Sequence, residues 1–120
     1  MWTYTQSNGE MQDPTGAVVG AGYSGAPQHV NDASAEQIPG VGPCPRGLYT
    51  FGPSWTDGHL GTVVMALTPV APFDAYGRSL LRLHGDNALG NQSASEGCII
   101  MPHDVRVNMD ASTDRELLVV

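Results

Sequence analysis

Glycine and proline recur along the whole chain and constrain its fold more than any other feature. The 120 residues include 15 glycines and 9 prolines, and both residue types favour turns and interrupt helices. The segments between them are short, so the sequence predicts short strands joined by tight turns rather than long helices. A chain of this length with 41% hydrophobic residues can bury one core. We therefore expect residues 1–120 to form a single, mainly β domain with one or two short helices.

Alternating and apolar segments predict the strands of this domain. Residues 2–7 alternate as in a half-buried strand, with Trp2 and Tyr4 on one face, and Asn8-Gly9 is a hairpin signal before a returning strand from Met11. Further strands are predicted, in chain order, at residues 16–23, 48–51, 62–68, 79–83, 98–101 and 116–120. Residues 52–61 are predicted to form a loop in which His59 is exposed and has no function.

Two short helices are predicted. Asp32 is a suitable N-cap for a turn of helix near residues 34–37. Apolar residues alternate from Val105 to Met109 as in a strand, but Pro102 suits the first position of a helix. We predict a helix over residues 103–109.

The stretch from His84 to Met101 carries the residues best suited to chemistry, and it reads HGDNALGNQSASEGCIIM. The thiolate of Cys98 can attack a carbonyl carbon, and a nearby imidazole can take its proton. The apolar segments before and after the polar loop predict two strands that bring His84 near Cys98. Gly97 has no Cβ, so the N–H groups of Gly97 and Cys98 can approach the oxygen that becomes negative during attack.

Several interpretations of this stretch are open. A free cysteine often packs as a small buried hydrophobe. Ser93 or Ser95 could act as a nucleophile, although thiols ionise far more readily than hydroxyls, and Ser95 could instead only hydrogen-bond the turn. Either Asp86 or a loop carbonyl could hold the second ring nitrogen of His84. If Cys98 is a nucleophile, we expect an accessible thiol with a low pKa, whereas a binding module would carry an inert thiol.

The joint pattern of His-Gly, a polar loop and Ser-x-Gly-Cys-Ile resembles the active-site signature of the L,D-transpeptidase catalytic domain. Within that superfamily the chain is most similar to the L,D-transpeptidase effectors of type VI secretion, through GYSG at 22–25, GPCPRG at 42–47, YGRS at 76–79 and LHGDN at 83–87. The resemblance extends over most of the chain, from about residue 2 to residue 120. It implies the β-sandwich or barrel-like fold of L,D-transpeptidases.

The resemblance also implies roles for individual residues. Cys98 would be the nucleophile and His84 the base, and the turn that binds the oxyanion would contain Gly97 and Ser95. The residues expected to support this site are Gly85, Asp86 and Ser93.

A substrate carboxylate needs a cationic partner. Arg78 and Arg106 could grip it through a bidentate fork, although each is also a suitable salt-bridge partner for the many acidic residues. Many L,D-transpeptidases carry arginine where this chain has Ile100, so that role is unfilled or has moved to Arg106. Tyr23 could line the substrate cleft or lie in a surface turn.

The sequence shows no pattern for a metal or a cofactor. Its histidines, at positions 29, 59, 84 and 103, form no His-x-x-x-His pair, and no Cys-x-x-Cys pair or glycine-rich phosphate loop is present. The net charge of −7 argues against nucleic acid and against an anionic membrane surface as partners. We expect no cofactor, no metal, no nucleic acid and no membrane partner.

The resemblance implies that the substrate is a peptidoglycan stem peptide. Cys98 would cleave the L,D bond between meso-diaminopimelate and the terminal D-alanine of a tetrapeptide, and the thioester would pass to water or to an amine. The chain is small and acidic, so we expect trimming and D-amino-acid exchange rather than cross-linking. The alternatives are a cysteine peptidase or amidase that acts on another stem bond, and an inactive module that binds the cell wall.

The N-terminal residues lack the charged and apolar regions of a signal peptide, which predicts synthesis in the cytoplasm without such a signal. The resemblance implies export by a contact-dependent secretion system and action in the periplasm of a target cell. It further implies a delivery protein of the secretion apparatus and a cognate immunity protein as partners. We predict that Cys44 and Cys98 are free thiols, with Cys44 buried between two prolines, because a disulfide would block the nucleophile.

Overall fold

The computed structural model describes all residues, Met1–Val120, and most of its regular structure is β-strand. In chain order, the elements are β1 (Trp2–Tyr4), β2 (Glu10–Gln12), β3 (Val18–Ala21), β4 (Tyr23–Ser24), β5 (Gly47–Phe51), β6 (Trp55–Asp57), β7 (Gly61–Pro69), β8 (Arg82–His84), β9 (Ile99–Ile100), α1 (His103–Asp110) and β10 (Glu116–Val119). The mainly β class with a short helix, predicted from the sequence, is confirmed.

The strand order makes the sheet curl round on itself. Ten strands belong to the sheet, which runs β3-β2-β1-β10-β5-β7-β8-β9-β4 with β6 paired to β7 at the side. The first and last strands of this order, β3 and β4, follow each other in the chain with only Gly22 between them. A Cβ on Gly22 would lie 1.6 Å from the carbonyl oxygen of Ile100. Only glycine therefore lets the chain pass so close to β9 at the point where the sheet closes.

The core lies inside this curled sheet, and α1 covers one side of it. Trp2 and Tyr4 are both buried, because alternate residues of β1 face the core. From α1, Val105 and Met109 face inward, one helical turn apart. The core cluster comprises Trp2, Tyr4, Met11, Cys44, Tyr49, Phe51, Met65, Leu67, Ala75, Leu81, Leu83, Ile99, Met101, Val105, Met109, Leu117 and Val119. No helix of the protein has the length and apolarity that crossing a membrane requires.

The two terminal strands lie side by side in the middle of the sheet. β1 pairs with β10 in parallel, with Trp2 opposite Leu117 and Tyr4 opposite Val119. The other edge of β10 pairs with β5 in antiparallel orientation. Residues from the two ends of the chain thus complete one ladder.

Most predicted elements are present, with four main differences. The strand predicted over residues 2–7 ends at Tyr4, and a turn follows before β2. The predicted strand over residues 16–23 is two strands, β3 and β4, because Gly22 lies at the closure of the sheet. The predicted loop over residues 52–61 contains β6, an irregular side strand whose register with β7 shifts. The predicted strand over residues 79–83 begins only at Arg82, because Leu80 has a φ of 58° and cannot be extended.

Both helical predictions are confirmed. The helix predicted over residues 103–109 is α1, and Pro102 is its N-cap residue. The predicted turn near residues 34–37 is a 3-10 turn at Ala33–Ala35, and the Asp32 side chain caps it by accepting from the N–H of Ser34.

Candidate active site

Two neighbouring parallel strands position Cys98 and His84. Leu83 of β8 pairs with Ile99 of β9, and one step back in this register Cys98 lies beside Arg82. Because side chains alternate between the faces of a strand, Cys98 shares one face with Arg82 and His84. With parallel strands about 4.8 Å apart and a rise of about 3.3 Å per residue, the Cα atoms of Cys98 and His84 are about 8 Å apart along a diagonal. Both side chains line the same cleft, and their catalytic roles stay predictions at this point.

The ring of His84 is buried and held by its own loop. Its Nδ1 lies 2.8 Å from the carbonyl oxygen of Gly85. A carbonyl can only accept, so Nδ1 carries the proton and Nε2 of the neutral ring is a free acceptor. Of the two partners that the sequence left open for this nitrogen, the structure has the loop carbonyl rather than Asp86. Burial lowers the pKa of His84, while the bond to Gly85 opposes this shift and the positive charge of Arg106 adds to it.

The thiol of Cys98 is half-buried at the floor of the cleft. Its Sγ lies 3.7 Å from the carbonyl oxygen of Leu80. Burial raises the pKa of Cys98, against the opposing effects of the Arg82 backbone N–H and the charges of Arg82 and Arg78. The expectation of a low thiol pKa is therefore not met, because desolvation outweighs the nearby positive charge.

The serine before the thiol organises the turn that presents it. Ser95 is fully buried. Its Oγ donates to the carbonyl oxygen of Cys98 at 2.7 Å and accepts from the N–H groups of Gly25 and Gly97 at 3.0 and 3.1 Å. The donor and both acceptor positions of the hydroxyl are used, so Ser95 has a holding role in this structure.

The hydrogen bonds of the turn decide which N–H group can face an oxyanion. The Gly97 N–H donates to Ser95, and the predicted oxyanion role of Gly97 therefore requires that bond to be released. The Cys98 N–H donates to no acceptor within the protein. Gly97 has a φ of 135°, and a Cβ there would lie 2.2 Å from Nη2 of Arg78. The turn can therefore be built only with glycine at this position.

The end of β4 holds the loop between His84 and Cys98. The hydroxyl of Tyr23 donates to Oδ1 of Asp86 at 2.7 Å and accepts from the N–H of Ala94 at 3.0 Å. Burial, together with the bond to Asp86, raises the pKa of Tyr23 to about 12. The Ser24 hydroxyl donates to the carbonyl of Gly97 at 3.3 Å. Tyr23 thus pins the loop in this structure, and its predicted contact with substrate is left as a prediction.

Ser93 and Asp86 belong to the same loop. The side chain of Asn87 donates to Oγ of Ser93 at 3.0 Å, and the Asn87 backbone N–H donates to Asp86 at 2.9 Å. Both residues line the cleft. These bonds fix the shape of the loop, and the supporting role of Ser93 and Asp86 in catalysis stays a prediction.

Arg78 is buried and its guanidinium is already occupied. Nη1 donates to the carbonyls of Glu36 and Pro43 at 2.8 Å each, and Nη2 donates to those of Gly42 and Glu96 at 3.1 and 3.4 Å. These bonds use all four Nη hydrogens. Gripping a substrate carboxylate would require Arg78 to give up some of them.

Arg106 is also buried, on the other side of the His84 loop. Nε donates to the carbonyl of Met101 at 2.9 Å and Nη1 to that of Thr62 at 2.6 Å. Nη2 lies next to Gly85, where a Cβ would approach to 2.6 Å. Burial lowers the pKa of Arg106. The glycine of the His-Gly pair therefore makes room for this guanidinium, and the predicted contact of Arg106 with substrate stays untested.

Arg82 is a cleft residue that the sequence interpretation missed. It lines the cleft, and its one ionic partner is Asp57 of β6, at 3.9 Å. The signal that could have revealed it is the period of two in β8, since Arg82 is two residues before His84 and shares its face.

His59, predicted to be exposed, is exposed as expected but also lies at the cleft wall.

The cleft has a volume of about 730 Å³ and is open to solvent along the His84–Cys98 loop.

Both cysteines are free, and Cys44 is completely buried, as predicted. Burial raises the pKa of Cys44 to about 12. No group of three or more histidine, cysteine, aspartate and glutamate side chains is placed to hold a metal ion.

Comparison with protein families gives one match that covers most of the chain. The model of the Tlde1 domain matches residues 19–118. No curated protein and no solved structure matches the chain. The matched range contains β4, β8, β9 and the whole loop between His84 and Cys98.

Proposed function

This chain belongs to the Tlde1 domain family, a family of peptidoglycan-targeting type VI secretion effectors, and we propose that it is an L,D-carboxypeptidase that also exchanges the terminal D-amino acid of tetrapeptide stems. One observation carries the proposal. Cys98 and His84 line one cleft from neighbouring parallel strands, and Gly85 fixes the His84 tautomer that leaves Nε2 free. A nucleophile and an oriented base in one cleft are what acyl transfer requires.

Acylation begins from a neutral thiol and a neutral imidazole. Nε2 of His84 takes the thiol proton as Sγ of Cys98 attacks the carbonyl carbon of meso-diaminopimelate. The Cys98 N–H, free of internal acceptors, donates to the oxygen that becomes negative. The carbon–nitrogen bond to D-alanine then breaks, His84 returns the proton to the leaving amine, and a thioester remains on Cys98.

The thioester is resolved by whichever acceptor reaches it. Attack by water releases a tripeptide stem and regenerates the thiol, which is carboxypeptidase action. Attack by the amine of a free D-amino acid forms a new amide bond and also returns the proton to Cys98, which is exchange. A cleft of about 730 Å³ is within the size range of small-molecule pockets, so small acceptors suit it better than a second stem peptide. We therefore propose trimming and exchange over cross-linking.

This function sets the place of action and the partners. The stem peptide lies in the periplasm of the target cell, so the protein acts there after contact-dependent delivery by a carrier of the secretion apparatus. The cell that makes the enzyme needs a cognate immunity protein to protect its own cell wall. Two other activities would use the same cleft: amidase or peptidase action on another stem bond, and wall binding without turnover.

Purified muropeptides test the proposal. Incubation of tetrapeptide muropeptides with the protein should yield tripeptides, and adding a D-amino acid should yield tetrapeptides with that residue at the end, both measured by mass spectrometry. Cys98→Ala should abolish both products, and His84→Ala should slow them by about 10²–10⁴-fold. Cys44→Ala removes the other, buried thiol and should retain activity, with circular dichroism as the check on folding.

Each other result points to a different function. Product formation by Cys98→Ala would end the proposed mechanism. Cleavage at another stem bond would make the protein an amidase or peptidase, and binding of muropeptides without cleavage would make it a wall-binding module. Cross-linked dimers as the main product would overturn the preference for small acceptors.

A further inference from the structure

The five arginines of the chain differ sharply in how their guanidinium groups are used. Arg78, Arg106 and Arg115 donate to backbone carbonyls, and Arg46 forms a close pair with Glu36 at 2.6 Å. Arg82 is the exception, since its guanidinium makes no hydrogen bond within the protein and has only the 3.9 Å approach to Asp57. A charge-assisted hydrogen bond is about 2.7–2.9 Å long, so the donors of Arg82 are open to a ligand.

The position of Arg82 places its free donors beside the proposed nucleophile. Arg82 is the residue of β8 directly beside Cys98, on the face that also carries His84. Its backbone N–H and its charge both act on the thiol of Cys98. Its side chain is 25% exposed, which leaves it accessible but partly shielded from water. A guanidinium without a hydrogen-bond partner therefore lies next to the proposed nucleophile, inside the cleft.

We propose that Arg82 binds the carboxylate of the D-amino acid on the leaving side of the scissile bond. This inference rests on the proposed function and adds the group that recognises the end of the stem peptide. The same subsite then receives the carboxylate of an incoming D-amino acid during exchange. Arg78 and Arg106 hold the loops of the site, and Arg82 contacts the substrate.

Covalent geometry restricts which cation can perform this role. The carboxylate carbon of a C-terminal residue is three bonds from the scissile carbonyl carbon, at most about 4.3 Å away. The carboxylate therefore stays close to Cys98 when the thiol attacks. Adjacent strands are about 4.7–4.9 Å apart, so a long side chain on the neighbouring strand position covers this distance. Arg82 occupies that position and has free donors.

Recognition of the carboxylate also explains why one site can serve release and exchange. In acylation the amide bond to the D-amino acid breaks, and the amine leaves with the proton from His84. In exchange a new amine attacks the thioester, the carbon–sulfur bond breaks, and Cys98 regains a proton. The departing and the incoming D-amino acid occupy the same subsite, one as it leaves and the other as it enters. A group that binds the carboxylate of one therefore also binds the carboxylate of the other.

Asp57 balances the charge of Arg82 when the subsite is empty. Its carboxylate accepts from the N–H groups of His59 and Leu60 at 2.9 and 3.1 Å in the β6–β7 hairpin. These bonds hold Oδ1 of Asp57 in the turn, so a closer pair would require the Arg82 side chain to move toward Asp57. The substrate carboxylate can therefore engage Arg82 without displacing a tight ion pair.

A pair of matched substrates tests the assignment. One tetrapeptide muropeptide ends in D-alanine and the other in D-alaninamide, which lacks the charge, and kcat/KM is measured for both. The wild-type protein should prefer the acid by about ten-fold or more, the usual scale for a hydrogen-bonded charge. Arg82→Ala should bring this ratio close to one, mainly through loss on the acid, and Arg82→Lys should keep part of it. Arg46→Ala removes an arginine outside the cleft and should leave the ratio unchanged, although loss of the Arg46–Glu36 pair lowers stability.

The outcomes separate this inference from the proposed function. A wild-type ratio that persists in Arg82→Ala overturns the assignment while leaving the cleavage activity in place. Equal loss on both substrates also overturns it, because Arg82 would then act on the thiol rather than on the carboxylate. If the wild-type protein cleaves neither substrate, the proposed function itself fails. Should Arg82→Ala unfold, Arg82→Gln keeps the length of the side chain and provides the same comparison.

Discussion

Burial acts in opposite directions on the two proposed catalytic side chains. It raises the pKa of the Cys98 thiol and lowers the pKa of the His84 imidazole. Both shifts favour the uncharged form, because a desolvated charge is costly. The resting site is therefore a neutral thiol beside a neutral base, not a thiolate–imidazolium pair. In the proposed mechanism, proton transfer then accompanies attack on the substrate instead of preceding it.

This neutral pair predicts the pH dependence of the enzyme. His84 must be unprotonated to accept the thiol proton, and its lowered pKa keeps it so to more acidic pH. We expect the acid-side half-point of kcat/KM to fall below about 6.5, the ordinary histidine value. Measuring kcat/KM from pH 4 to pH 10 checks this. A half-point well above neutrality would show that thiolate formation limits the rate and would contradict the neutral pair.

For individual residues, the sequence indicated which side chains lie at the candidate site but not which contacts each one makes. His84, Cys98 and Ser95 could be grouped because a short loop and two apolar segments join them. Arg78 and Arg106 were predicted as substrate ligands because arginine suits carboxylates, but burial gives their donors to backbone carbonyls. Which arginines become buried depends on the tertiary fold and is not visible in composition. Arg82 was missed, although the alternation of β8 points to it.

Among the elements, the loops around the cleft depend on one buried side chain. Arg78 ties the segment of Glu36, the Gly42–Pro43 turn and the Glu96 turn into one unit. The nearby Gly97 fits only because it has no Cβ. The turn that presents Cys98 is therefore built on Arg78 as well as on Ser95.

We expect Arg78→Ala to destabilise the fold by about 3 kcal/mol or more, since several carbonyls lose their donor and each unsatisfied group costs about 1–3 kcal/mol. Arg78→Lys keeps the charge but has fewer donors in a different geometry, so an intermediate loss is expected. Urea denaturation of the three proteins measures the difference. A wild-type midpoint for Arg78→Ala would show that the guanidinium contributes nothing to the fold.

Elements were predictable where a local pattern agreed with the final contacts. The apolar stretch of β7 and the proline before α1 gave elements near their observed bounds. The alternation over residues 2–7 placed the start of β1 correctly but extended the strand past its end at Tyr4. β6 was missed because it has no apolar alternation and is held only at the side of β7. The start of β8 was placed too early because Leu80 has a positive φ, which a short apolar stretch does not reveal. Long-range contacts decided these cases.

For the whole molecule, acidic groups set the response to pH. Burial of Glu36 alone would raise its pKa, but hydrogen bonds from Arg46 and Gln6 outweigh this and leave the pKa below the ordinary value. Because the folded-state pKa is the lower one, the stabilisation is fully present above the unfolded value of about 4.3. It is lost as the pH falls through the folded-state pKa.

We therefore expect the melting temperature to begin to fall below about pH 6.5, where the unfolded chain protonates His84 while the buried ring stays neutral, and to fall further below pH 4, where Glu36 becomes protonated. Glu36→Gln should be less stable than wild type near neutral pH and should lose less on acidification. Thermal unfolding followed by circular dichroism across this range checks both statements. An unchanged melting temperature at pH 3 would mean that the shifted pKa values of Glu36 and His84 contribute little to stability.

The parallel pairing of β1 with β10 also determines how the molecule bears tension. The ladder from Trp2 opposite Leu117 continues to the bond between the Gln6 N–H and the Val120 carbonyl. A force that pulls Trp2 and Val120 apart acts along these strands, so the bonds of the ladder share the load and must shear together. A hairpin pulled from its open end instead loses its bonds one after another. The fold is thus mechanically stiff along the line joining its terminal strands. A force applied in that direction meets more resistance than one that opens a hairpin bond by bond.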